Sequence, residues 1–96
     1  MAIQIFATGV SITTGVASAG ATIPLDSAGR VPRYIRISVT ANAHVRIGGG
    51  VQTAVATDLL VCVSDSIIIS VNGSTHIAAL QQMVAGVVQV SPVEDI

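Results

Sequence analysis

The chain reads as all-β: a single small antiparallel β-sandwich, jelly-roll-like, of about eight short strands. Three observations predict it. Val, Ile and Thr dominate while Glu, Lys and Leu are scarce, and β-branched residues suit a pleated, half-buried surface. Runs such as "YIRISV" alternate apolar and polar residues with a period of two. Gly, Ser, Asn and Asp recur at short intervals, as turn residues do.

The strands follow in order. "IQIFAT" sets Ile3 and Ile5 against Gln4 and Phe6, and "GVSITTGVAS" follows after a glycine. "ATIPLD" contains Pro24, which cannot donate to a ladder, so this strand belongs at an edge or a bend. "SAGRVPR" is a loop, with Val31 held extended by Pro32. In "RYIRISVTANAHVRIGGG", Ile35, Ile37 and Val39 share one face, and Tyr34, Arg36, Ser38 and Thr40 the other. "TANA" reads as a hairpin turn, and the return strand sets Ala43, Val45 and Ile47 against His44 and Arg46. With the apolar sets inward, Arg36, Ser38, His44 and Arg46 are expected on one outer face. Gly48, Gly49 and Gly50 make a permissive loop rather than a phosphate cradle, because no lysine and no strand–loop–helix context follow.

"LLVCV" is a strand, "SDS" a turn, and "IIISVN" a strand whose consecutive Ile67, Ile68 and Ile69 make both faces apolar. "NGS" at residues 72–74 is a tight turn, since Asn-Gly tolerates positive φ at both positions. "THIAALQQM" and "AGVVQVSPV" are the last two strands, and "EDI" reads as an acidic tail.

Composition bounds the function. Ninety-six residues make one domain, 1–96, with 1–30 read as an N-terminal arm or hairpin used in assembly. Residues are 51% hydrophobic and 9% charged, and mean hydropathy is +0.79. One thin core cannot hide that much apolar surface, so self-association or membership of a larger assembly is expected. Net charge is −1, which gives no basic surplus for nucleic acid. Phe6 and Tyr34 are the only aromatics, thin material for a stacking platform. "MAIQIFATGV" lacks the basic n-region of a signal peptide, and no window reaches the length of a membrane helix.

No constellation points to catalysis. His44 and His76 form no His-x-His pair, and the lone Cys62 lies between apolar neighbours as a core thiol would. No nucleophile elbow and no placed pair of carboxylates occurs. No metal or cofactor is expected. Arg30, Arg33, Arg36 and Arg46 are the unusual set, four arginines in a chain without lysine. A planar guanidinium binds carboxylates bidentately and is weakly hydrated, which suits pairing with another chain.

The succession "YIRISVTANAHVRIGG", "ATDLLV", "SIIISV", "HIAALQ", "GVVQVSPVE" resembles the short β-sandwich decoration, or cement, proteins of tailed-bacteriophage heads. The likeness spans Tyr34 to Glu94 and is one of strand rhythm, so no site residue carries over from it. It implies a non-enzymatic virion protein, made in the host cytoplasm, that binds the major capsid protein on the head surface and assembles with itself. A homotrimer is expected, with a dimer the alternative. Other virion parts (head-completion, tail or baseplate sandwiches) and a glycan-binding head-fibre module are the further readings. The interface is expected at Arg33, Arg36, His44 and Arg46, which would meet acidic groups, and at Ile67, Ile68 and Ile69.

Overall fold

The computed structural model describes residues 3–4 and 9–95. Its strands are β1 (Ile3–Gln4), β2 (Val10–Thr13), β3 (Ala19–Thr22), β4 (Tyr34–Val39), β5 (Ala43–Gly48), β6 (Leu59–Val61), β7 (Ile67–Ser70), β8 (His76–Gln81) and β9 (Val87–Asp95). Every pairing is antiparallel. One sheet runs β1-β9-β4-β7, with β2 also against β9, and the other runs β3-β8-β5-β6. Without the two-residue β1 the orders are 2-9-4-7 and 3-8-5-6, the connectivity of a jelly roll. The fold class read from the sequence is the one observed.

The period-two pattern builds the core. Ile35, Ile37, Val39, Val88 and Val90 of the first sheet meet Val45, Val61, Ile77 and Ala79 of the second. The shortest dimension, 19 Å, is that of two sheets about 10 Å apart with their outward side chains.

Between β2 and β9 every connection crosses from one sheet to the other, except β5 to β6. This corrects three expectations. "TANA" is an arch and not a hairpin: β4 and β5 lie in different sheets, so Arg36 and Ser38 point away from His44 and Arg46. Residues 10–23 are neither a free arm nor a hairpin, because β2 pairs with β9, β3 pairs with β8, and Ile12 and Ile23 are buried. "EDI" is no free tail through Asp95, since Gln4 and Ile3 pair with Glu94 and Asp95. The alternation read at Ile5 and Phe6, like Ile96, lies outside the described residues.

Pro92 sits in a strand paired on both sides, and the ladder explains why it is tolerated. The Thr40 N–H bonds the Val87 carbonyl and the Val87 N–H bonds Thr40 Oγ1, so Val87 turns both groups toward the β4 side and alternate residues follow suit. Pro92, opposite Ile35, therefore turns its nitrogen to the other side of β9. On that side β2 pairs with Val87–Val90 and β1 with Glu94 and Asp95, and among the described residues none pairs with Pro92, so its missing donor breaks no bond there. At the β7–β8 turn, Asn72 and Gly73 have φ of 53° and 80°, as the Asn-Gly pair predicts. Cys62 falls just after β6 and is half-buried, outside the core, which corrects the core-thiol expectation.

Candidate interaction surfaces

The β5–β6 connection is a strap over the outer face of the second sheet. It leaves Gly48 and reaches the start of β3, where the Ala54 N–H donates to the Oγ of Ser18, the residue just before that strand, at 2.8 Å. Ala54 is buried, and so is Ala78, which faces outward from β8 opposite Gly20 and Arg46. The apolar run "IAAL" is thus covered on its second side by the chain itself. Gly48 serves this strap by allowing close approach. A Cβ there would collide with the Gln52 amide, which folds back to donate to the Gly50 carbonyl.

Asp58 pins the strap. Its Oδ1 accepts from Arg46 Nε at 3.1 Å and Nη2 at 2.9 Å, and its Oδ2 accepts the Val55 N–H at 2.8 Å. Its carbonyl lies 3.0 Å from His44 Nδ1. Arg46 therefore has its carboxylate within the chain, and His44 is engaged beside it. The single outer face expected for Arg36, Ser38, His44 and Arg46 is not formed, because β4 and β5 belong to different sheets. Arg36 instead donates from Nη2 to Ser66 Oγ at 3.0 Å, which in turn lies 3.0 Å from Ser38 Oγ. Arg46–Asp58 is the only ion pair among the described residues, leaving Arg33 and Arg36 without one.

The Val55 N–H lowers the Asp58 carboxyl most, burial opposes it, and the Arg46 guanidinium lowers it further, so the carboxyl is held below the usual aspartate range. A lowered folded-state pKa means that the pin contributes fully above the unfolded value near ~3.9 and is lost as pH falls below it, through the folded value. The Val55 amide resonance should therefore inflect below that pH, and Arg46→Gln should move the inflection upward. An inflection at the ordinary aspartate value in the parent chain would contradict the pin.

The arches β2–β3, β4–β5, β6–β7 and β8–β9 all lie at one end of the sandwich, because β2, β4, β6 and β8 finish there. Asn42 staples three of them. Its Nδ2 donates to Gln82 Oε1 at 3.1 Å, its Oδ1 accepts the Val63 N–H at 2.8 Å, and its carbonyl accepts the Gln82 N–H at 3.2 Å. With these polar groups turned inward, apolar side chains are left outward. Val16 is 89% exposed and Met83 81%, with Val63 and Val84 exposed beside them. A shallow hollow of about 340 Å³ lies between Ala41, Val63, Met83 and Val84. Asp65 is the only charged residue in these four arches. Asn42→Ala removes two side-chain hydrogen bonds and should cost about 1–2 kcal/mol in urea unfolding. An unchanged midpoint and slope would show that the staple holds nothing.

Ile67 and Ile69 pack against the core, whereas Ile68 on the outer face is 49% exposed. The predicted apolar strand is thus closed on one face and open on the other. A cleft of about 570 Å³ beside the strap, lined by Thr22, Gln52, Thr53 and His76, has no Asp, Glu or Arg in its lining. No three of His, Cys, Asp and Glu converge among the described residues, and no helix there is long and apolar enough to cross a membrane. The residues that sequence reasoning missed are Asn42, Asp58 and the arch residues Val16, Val63, Met83 and Val84. Their signal was large apolar side chains at turn positions, where polar ones are usual. Comparison with protein-family models, with curated proteins and with solved structures finds no match.

Proposed function

We propose that this protein is a non-enzymatic structural subunit of a bacteriophage virion, on the head surface, where it decorates and stabilises the icosahedral shell. The observation that carries the reading is the arch end: four connections gathered at one end, three of them stapled by Asn42, nearly uncharged, with Val16, Val63, Met83 and Val84 turned outward. Large apolar groups gathered on a surface mark an interface. The jelly roll is a fold of viral capsid domains among others, and fold alone does not assign function. The occupant of the arch end is an apolar surface of the major capsid protein, and Arg33 and Arg36 are left to meet carboxylates of neighbouring chains.

The test is binding of the purified protein to undecorated heads across a salt series. An apolar contact should saturate and should hold as salt rises, because screening acts on charges and not on buried apolar area. Absence of binding, or binding that vanishes as salt rises, would contradict docking through the arch end.

A further inference from the structure

We propose that β7 is a dimerisation edge, where a second copy of this chain adds antiparallel to Ile67–Ser70 about a two-fold axis at Ile68. Among the described residues β7 ends its sheet, paired with β4 alone. The Val71 N–H bonds the Arg33 carbonyl, so by antiparallel alternation Ile69 and Ile67 bond inward to β4. Ile68 and Ser70 then direct their N–H and C=O groups away from the sheet.

The usual guards of such an edge are charge, proline, a bulge or a cover. β7 has no charge, proline or bulge. The other sheet is guarded differently: β3 lies beside the strap and is followed closely by Pro24, and β6 has three residues.

Charge selects the occupant. Asp65 lies just before β7, and Arg33 lies beside Val71 just after it, both without an ion pair among the described residues. With the axis at Ile68, Ser66 opposes the partner's Ser70, and Asp65 opposes the partner's Val71. The partner's Arg33 is one strand further, about 10 Å from Asp65 between Cα atoms, within the span of the two side chains. The axis makes this pair twice. A parallel approach would forfeit it. The edge is therefore self-complementary in hydrogen bonds, apolar contact and charge, as an isologous interface must be.

The inference takes up the self-association expected from the sequence, goes beyond the proposed function and needs no head. Sedimentation of the isolated protein tests it, so its failure and a failure to bind heads are read separately. At about 100 µM, where a micromolar Kd is saturated, the parent should sediment as a dimer. Ile68→Pro removes an outward N–H while sparing the β4 ladder, and should give a folded monomer. Arg33→Asp should weaken dimerisation about tenfold by placing like charges together. Adding Asp65→Arg to Arg33→Asp should restore it. A monomeric parent, or a parent dimer indifferent to all three changes, would overturn the proposal. Ile68→Pro that fails to fold leaves the charge-swap pair as the deciding measurement.

Discussion

Met83→Asp is expected to abolish docking on undecorated heads while leaving the sandwich folded. Met83 projects from the β8–β9 arch and is 81% exposed, so the isolated chain should change stability by less than about 0.5 kcal/mol. In the docked state the same carboxylate would be buried among apolar groups without a partner. That costs several kcal/mol or forces protonation, so affinity should fall at least about a hundredfold. Val84→Asp, beside it in the same hollow, should act alike. The measurement is protein co-sedimenting with heads, alongside a thermal melt of the free variant. Parent-like binding by either variant would remove the arch end from the interface.

Ile37→Ala should have the largest effect on the fold itself. Ile37 is fully buried, lies between Val90 and Ile67 in register, and faces the second sheet. Truncating such a side chain costs about 2–5 kcal/mol, because the packed neighbours close the cavity only in part. A domain of this size has roughly 5–14 kcal/mol in all, so the variant should be partly unfolded well below the parent's melting temperature. Ile68→Ala, on the open face of the next strand, should cost the isolated chain far less. Urea unfolding of both variants checks the contrast, and equal losses would contradict the assignment of inner and outer faces.

The inward set of β4 and β5 was legible because burial on one face imposes a period of two. The pairing of those strands was not. Val39 and Ala43 point inward whether the chain turns within one sheet or arches over to the other. The alternation is the same in both cases, and partners far along the chain decide between them: Val39 meets Val88, and Ala43 meets Val61 and Gln81. The shared basic face failed with the hairpin. Ile67 to Ile69 read as apolar on both faces, which is a correct statement of side chains, but their place at a sheet edge depends on the strand order. Asp58 stands in a loop twelve residues after Arg46, and nothing local in the sequence shows that the strap brings it back to that side chain. The arch end was the most readable feature left unread. Val63, Met83 and Val84 occupy turns, where burial was unavailable to them from the start.

Docking through the arch end is tested most directly by an averaged image of decorated heads, fine enough to orient the sandwich. Many symmetry-related copies are expected across the shell, with Val16, Val63, Met83 and Val84 against the capsid surface and the Arg33 end directed outward. Sandwiches with their arches in solvent, or copies confined to a single ring at the neck, would contradict it.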